Sequence, residues 1–298
     1  MTLPQLSVVI PSVNGLGDLI GCLEALEGER RATVLEVLVV DRLGAPVVSE
    51  VARRFPWVRI LPTPPGTTIP AMRAIAFDAA TAPSVAVIED HVLVPSGWAR
   101  QLLAAQARGE EVVGGAVENA ATERLTDWAA FLCEYHAILP PLPDGPANGI
   151  TGNNTVYRRE LLVRFRDVVA EGRWENRLHD ALRGAGIALY CRPDIRVGHK
   201  KHYTVWEYLS QRFLYSRSYA GARALGRPLG WRLAAGAAAF LLPALLYVRV
   251  VTTVWRKGVH RPQLVRSLPL LGLFVTSWGL GEVVGYWAGP GNALSKVC

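Results

Sequence analysis

The stretch AVIEDHVLVPSGW, residues 86–98, places three residues that can bind a metal ion or move a proton in direct succession. Glu89, Asp90 and His91 follow a short apolar run and precede a Pro-Ser-Gly turn. Two carboxylates and an imidazole can coordinate a divalent cation, which neutralises phosphate charge as a Lewis acid. The alternative interpretation is three solvated residues at the opening of a loop, because exposed loop carboxylates are common.

The elements that must position this triplet alternate along the preceding chain. Buried strands are predicted at 6–10, 34–41, 58–62 and 84–90, and helices at 17–27, 47–55 and 71–80. This alternation, with short connections, predicts an α/β fold with a mostly parallel sheet flanked by helices. Ligands bind such sheets at the carboxyl ends of the strands, where Asn14, Asp41 and the triplet are all found.

The sequence also indicates which groups could bind phosphate. The chain has neither a GxGxxG nor a GxxxxGK[ST] loop, so backbone amides alone are not expected to hold phosphates. Phosphate charge would then need a cation. Hard oxygen ligands with one or two imidazoles suit Mg²⁺ or Mn²⁺.

Charge and cysteine usage narrow the class of protein. The 298-residue chain has a formal net charge of +7, and its basic residues are dense from residue 192 onward, where they flank two apolar runs. This distribution is typical of a segment that meets an anionic membrane surface, and no recognised motif indicates a nucleic-acid partner. The four cysteines are widely separated without CxxC spacing, which favours a reducing, cytoplasmic setting.

Two apolar runs lie near the end of the chain. Residues 233–248 and 267–281 carry no charge, and each run is shorter than the roughly 20 residues that a membrane span needs. A short transmembrane hairpin and an in-plane or re-entrant pair remain open, as does burial in a soluble core. We predict a catalytic domain over residues 1–225 and a membrane-associated helical hairpin over residues 226–298.

Several segments, in order, resemble the family 2 glycosyltransferases, which have a GT-A fold and transfer a sugar from a nucleotide-sugar donor. The resembling segments are SVVIPSVNG (7–15), VLVVD ending at residue 41, residues 71–98, TGNNTVYRREL (151–161) and the run from WEN to VGH (174–199). The resemblance spans roughly residues 5–225. Order and spacing together, more than any single segment, make it specific.

The resemblance implies a role for each candidate residue. It implies Glu175 as catalytic base, a Mg²⁺ or Mn²⁺ ion held by Glu89, His91 and His199, donor binding by Pro11, Asn14, Asp41, Arg73 and Asp90, and acceptor binding by Gly152, Asn153 and Asn154. Direct displacement needs a carboxylate to take the proton of the attacking acceptor hydroxyl. A simpler interpretation gives Glu175 a helix-capping role or a pairing with Arg173, and makes Arg73 a helix-surface residue.

Three departures from the family pattern keep a second function open. Arg42 follows Asp41, His91 stands where a carboxylate is common, and Asn176 follows Glu175. We expect a membrane-bound hexosyltransferase, with its catalytic domain on the cytoplasmic side and a membrane lipid or lipid-linked acceptor. The alternative is a non-catalytic, membrane-tethered nucleotide-sugar-binding relative.

Overall fold

The computed structural model describes residues 3–298. The chain forms two compact units. The first comprises Met1–Ala120 and Ile138–Lys200, and the second comprises Ala121–Ala137 and Lys201–Cys298. The predicted boundary at residue 226 falls inside the second unit, because α-helical residues before it share contacts with the C-terminal helices.

The secondary structure follows the predicted alternation over the first 90 residues. The first elements are β1 (Leu6–Ser12), α1 (Leu16–Ala32), β2 (Leu35–Asp41), α2 (Ala45–Arg54), β3 (Val58–Pro62), α3 (Ile69–Ala79), β4 (Ser84–Val87), β5 (Val92–Leu93), α4 (Trp98–Ala107), β6 (Val112–Asn119) and α5 (Leu125–Tyr135). The later elements are β7 (Gly145–Ala147), β8 (Thr155–Arg158), α6 (Arg159–Arg164), α7 (Arg166–Ala170), α8 (Glu175–Gly184), β9 (Leu189–His199), α9 (Val205–Ala224), α10 (Leu229–Ala238), α11 (Leu242–Lys257) and α12 (Arg261–Ala288).

The first unit is built on one sheet with the order β3-β2-β1-β4-β8-β6-β9-β5, and β7 pairs with β9. Strands β1 to β4 pair in parallel, as the sequence predicts. The other half is mixed, because β8 runs antiparallel between β4 and β6, and β5 runs antiparallel to β9. All seven residues of β1 are buried, which explains its continuous apolar character.

The fourth predicted strand is shorter in the structure than in the sequence-based prediction. Strand β4 ends at Val87, so Glu89, Asp90 and His91 lie in the turn that leads to β5. A turn frees these side chains from the strict alternation of a strand. All three can therefore be directed to different partners on the same side of the sheet.

The second unit is helical. It contains α5, α9, α10, α11 and α12, with a 3₁₀ turn at Ala239–Leu241 joining α10 to α11. Within the described residues 3–298, Leu229–Lys257 and Arg261–Ala288 are long and apolar enough to cross a membrane. Both exceed the uncharged runs seen in the sequence, because each helix continues into its flanking charged residues.

Candidate active site

Asp90 anchors the turn after β4 to the loop after β1. Its carboxylate accepts hydrogen bonds from the backbone amides of Val13 (2.7 Å) and Asn14 (2.9 Å) and from Asn14 Nδ2 (2.6 Å). Burial opposes ionisation of Asp90, but the hydrogen bonds from His91 and Asn14 outweigh it and lower its pKa. Asp90 is thus held as an anion that fixes its neighbours, and its predicted donor contact stays a prediction.

His91 and His199 are brought together by the pairing of β5 with β9. Val92 lies opposite His199 in this antiparallel pair, and the Lys200 amide donates to the His91 carbonyl. The two Nε2 atoms lie 2.8 Å apart, with the rings perpendicular at 89°. A proton on His91 Nδ1, 3.0 Å from Asp90 Oδ1, leaves the Nε2 lone pair directed at His199.

Glu89 completes a cluster of three possible metal ligands. Its Oε2 lies 3.4 Å from His91 Nε2, and one ligand atom each of Glu89, His91 and His199 lies within 4.8 Å of the others. One carboxylate and two imidazoles, one of them oriented by a second carboxylate, fit a divalent transition metal better than Mg²⁺. The structure therefore brings together the three residues predicted as ligands.

Arg73 connects this cluster to Glu175. Its Nη1 lies 2.8 Å from Glu175 Oε2, and its Nη2 lies 3.9 Å from Glu89 Oε1. Only 6% of Arg73 is exposed, so it is not the helix-surface residue of the simpler interpretation. Arg173 pairs instead with Glu171, at 3.5 Å.

Glu175 is the first residue of α8 and is partly buried. Burial would raise the pKa of its carboxyl, but the charge of Arg73 and a backbone amide lower it overall. The side chain is therefore held as a carboxylate, the form that a general base needs.

The loop before β8 touches both carboxylates. A Cβ atom on Gly152 would lie 2.6 Å from Glu175 Oε1 and 2.8 Å from its Cγ, so only glycine leaves room for this carboxylate. The next residue, Asn153, donates from Nδ2 to Glu89 Oε2 at 2.9 Å. Both residues were predicted to bind the acceptor, and the structure places them beside the predicted base and the predicted metal ligand.

Asn154 is the predicted acceptor residue that the structure does not bring into this group. It is fully buried, and its Oδ1 accepts from Trp98 Nε1 at 3.0 Å. Its Nδ2 donates to the carbonyls of Ala116 and Ile195, each at 2.9 Å. These bonds hold strands β6 and β9 beside α4, which is a positioning role.

Asp41 and Pro11 lie at the ends of neighbouring parallel strands, as predicted. Asp41 is 1% exposed, and its carboxylate accepts from Ser12 Oγ (2.8 Å) and from the amides of Leu43 (3.1 Å) and Gly44 (2.8 Å). The carboxylate thus holds the turn into α2. Donor binding by Asp41, Asn14 and Pro11 stays a prediction.

Two residues near Glu175 were not predicted as site residues from the sequence. Tyr157 Oη lies 2.7 Å from His179 Nε2, and both side chains are buried. Burial, followed by the Glu175 charge, raises the pKa of Tyr157, whereas burial lowers the pKa of His179 to about 4. Both are therefore neutral near pH 7. Tyr157 lines a cleft of about 30 Å³ together with Arg73, Gly152 and Glu175, and no local motif signals this.

Comparisons with known proteins give a family match and a similar solved structure. Residues 7–165 match the family model described as glycosyl transferase family 2. A crystal structure of S. aureus TarS, residues 1–349, is similar at 10% sequence identity with a TM-score of 0.48, covering 94% of this chain and 90% of that one. Among curated proteins, no significant sequence match was found.

The family match extends over more than half of the 298 residues and includes β1 through β8. It covers Arg73, Glu89, His91 and the glycine beside the predicted base, whereas Glu175 and His199 lie beyond it. The predicted GT-A fold class is confirmed. The chain belongs to glycosyl transferase family 2, a family of glycosyltransferases.

Proposed function

We propose that the first unit transfers a hexose-type sugar from a nucleotide-sugar donor, with metal assistance and with Glu175 as the base. The observation that carries this proposal is the continuous path from His199 and His91 through Glu89 and Arg73 to Glu175. It places a candidate cation site and a buried guanidinium next to an ionised carboxylate. Such a site can bind a diphosphate and deprotonate an acceptor beside it.

Each side chain has a defined task in this proposal. Glu175 accepts the proton of the attacking hydroxyl, and Arg73 binds donor phosphate oxygens through its guanidinium. Gly152 leaves the space that Glu175 occupies, and Asn153 holds Glu89 in position. When bound by Glu89, His91 and His199, a divalent cation would supply Lewis-acid neutralisation of the leaving diphosphate.

The donor set also favours one cation over the other. Imidazole nitrogen is a poorer ligand for Mg²⁺, which prefers oxygen, than for transition metals. With two imidazoles and one carboxylate, we propose that Mn²⁺ supports the reaction better than Mg²⁺. A titration of both ions, with donor turnover as the readout, compares them directly.

The proposed acceptor is a membrane lipid or a lipid-linked sugar, because the second unit exposes much apolar surface. Its exposed large apolar residues include Leu229, Trp231, Leu233, Phe240, Leu241, Leu245, Val248, Trp255, Leu273, Leu280 and Trp287. Tryptophan near helix ends, with arginine and lysine close by, is typical of membrane interfaces. The dense basic flanks support a cytoplasmic location of the catalytic unit.

One set of measurements tests the reaction. Detergent-solubilised full chain is screened with UDP- and GDP-sugars for thermal stabilisation, which reaches about 2.7 kcal/mol at roughly 100 times Kd. Donor hydrolysis is then measured with and without Mn²⁺. We expect Glu175→Gln to keep donor binding and lose turnover by about 100-fold or more, the usual contribution of a general base.

A non-catalytic, donor-binding relative is the second candidate. It is favoured because the carboxylates of Asp41, Asp90 and Glu175 already accept hydrogen bonds from, or pair with, other groups of the same chain. Donor stabilisation without turnover, in wild type as in Glu175→Gln and at every Mn²⁺ concentration, would establish this candidate. Absence of donor stabilisation would exclude both functions.

A further inference from the structure

His136 is a buried histidine at the end of α5. It follows α5 in the second unit and is 7% exposed. The carbonyls of Leu132 and Cys133 come near the ring, but within the described residues neither Nδ1 nor Nε2 has a hydrogen bond of normal geometry. Buried polar atoms are rarely left this way, because an unpaired buried polar group keeps the full cost of its desolvation.

Two cations of α11 act on this ring. Lys257 Nζ donates to the carbonyl of Ala137, the residue next to His136, at 3.1 Å. Burial, followed by the charge of Arg249 and to a lesser extent that of Lys257, lowers the pKa of His136 to about 4. Both charged groups among the main causes of this pKa shift are cations, and the nearby Glu134 lies 3.7 Å from Arg212. The charges that act most on the ring are thus positive.

These residues lie where a membrane surface would meet the helix. Arg249, in the middle of α11, is exposed, and Lys257, the last residue of this helix, is partly exposed. The neighbouring Val248 and Trp255 are 59% and 50% exposed. Apolar side chains flanked by cations and a tryptophan match the depth at which lipid phosphates are found.

We propose that His136, Arg249 and Lys257 form a binding site for the phosphoryl anion of a membrane lipid. An imidazole N–H donates to one phosphoryl oxygen, and the two cations supply charge-assisted hydrogen bonds to the others. The anion would satisfy a buried ring nitrogen that makes no hydrogen bond of normal geometry within residues 3–298. This site is separate from the residues proposed for sugar transfer, so either can exist without the other.

The test uses the full chain in micelles of an uncharged detergent, so that it does not depend on membrane attachment. The probes are dihexanoyl phosphatidate, dihexanoyl phosphatidylcholine and inorganic pyrophosphate, with tryptophan emission as the binding signal. We expect phosphatidate to bind, and Lys257→Gln and Arg249→Gln each to weaken it about tenfold or more. Arg256→Gln is the matched control. It removes the same charge from the same helix, next to Lys257, and should change the affinity by less than about twofold.

Each outcome decides the proposal. If phosphatidate binds and pyrophosphate does not displace it, the site exists and binds the phosphate of a lipid. If pyrophosphate displaces it, the site exists and binds free phosphoryl anions as well as lipid. Absence of phosphatidate binding by wild type, or an equal loss in Arg256→Gln, overturns it. His136→Gln should also weaken binding, and if it does not fold, the two surface variants still decide the question.

Discussion

The Glu175 carboxylate lies between a buried arginine and a glycine that leaves no room for a side chain. We expect Gly152→Ala to displace this carboxylate with little loss of stability, because the group that must move is the end of a flexible side chain. Turnover should fall by about tenfold or more, since small misplacements of reacting groups are costly. Donor turnover and the unfolding midpoint, measured together, check both parts.

Gly149→Ala is the matched control for that substitution. Gly149 lies in the same loop, and a Cβ atom there would meet nothing within 4 Å. Both alanines lower the conformational freedom of the unfolded chain to the same extent, so this contribution cancels. Equal rates in the two variants would contradict the proposed link between Gly152 and the base.

The lowered pKa of Glu175 predicts the pH dependence of turnover. Because its folded pKa lies below the ordinary value of 4.5, the ionised form and its contribution to stability persist below that pH. Both are lost as the pH falls through the folded pKa. In Arg73→Gln, burial acts on Glu175 without the opposing cation, so the acidic limb of the pH-rate profile should move to higher pH. An unshifted limb would show that Arg73 does not control this carboxylate.

Residues that the sequence predicts to lie together do so where strand ends meet, whereas a contact between side chains of two helices, α3 and α8, was not predicted. Glu89, His91 and His199 converge as predicted, because each lies beside the end of a strand in one sheet. The pairing of Arg73 with Glu175 joins residues 102 positions apart, and no local pattern reports it. The sequence likewise does not distinguish Asn153, which reaches Glu89, from its buried neighbour Asn154.

At the scale of elements, the two-residue strand β5 has an effect on the site that exceeds its length. Its pairing with β9 holds His91 against His199. We expect His199→Ala to abolish the stabilisation of the protein by Mn²⁺, as measured by the unfolding midpoint, because a ligand is removed and no neighbour replaces it. Arg196→Ala is the control in the same strand, since Arg196 lies at the surface, where it pairs with Glu118 at 2.9 Å. Retention of the Mn²⁺ shift in His199→Ala would exclude this histidine as a ligand.

Helix α12 approaches α9 closely through glycine. A Cβ atom on Gly285 would lie 2.6 Å from the Arg217 carbonyl oxygen and 2.8 Å from Ala220 Cβ, so backbone would have to move. Gly285→Ala should cost about 1–3 kcal/mol and lower the unfolding midpoint. Gly272→Ala, in the same helix with its nearest neighbour at 3.8 Å, should leave the midpoint unchanged or raise it slightly. A similar midpoint in both variants would show that this contact is not tight.

The elements themselves were predicted with unequal success. Strands β1 to β3 match their predicted ranges within a residue or two. Strand β1 and the last five residues of β2 are buried, which explains their continuous apolar runs, whereas the edge strand β3 is only partly buried. The antiparallel strands β5, β7 and β8 are two to four residues long and lack such a run. The uncharged runs near the end of the chain are shorter than the helices that contain them, because α11 and α12 continue through arginines. The long side chain of arginine can keep its charge in water while its apolar stem lies against a membrane surface.

At the scale of the molecule, the second unit limits how the chain can meet a membrane. Helix α9 packs along α12, and its Arg223 pairs with Glu282 of α12 at 2.9 Å. If α12 crossed a bilayer, the charges of α9 would enter the hydrocarbon with it, at a cost of several kcal/mol. The most apolar 18-residue stretch of Leu229–Lys257 is 17% buried within the protein, whereas that of Arg261–Ala288 is 44% buried. The first segment, which comprises α10 and α11, therefore has more apolar surface available for lipid. We therefore expect α10 and α11 to lie in the plane of the membrane.

Labelling with a membrane-impermeant maleimide tests this arrangement. The loop between α11 and α12 is marked by Val259→Cys in a Cys298→Ser background, and the native Cys298, which is exposed, marks the chain end. Cys191→Ser removes the remaining accessible thiol in both proteins. In inverted membrane vesicles both sites should react, and in intact cells neither should. Reaction of the two sites from opposite sides would establish a transmembrane hairpin instead.

The composition of the second unit from two separate segments has a consequence for its assembly. Residues 121–137 leave the ribosome before residues 138–200, which belong to the first unit, and the rest of their own unit begins at residue 201. Three apolar residues of α5 that are buried in the folded protein therefore stay exposed until later helices have been synthesised and cover them: Trp128, Phe131 and Leu132. A chain shortened to residue 200 keeps α5 but loses that cover permanently. Trimming the apolar tail should thus yield an aggregating fragment, and a soluble enzyme would require replacing α5 as well.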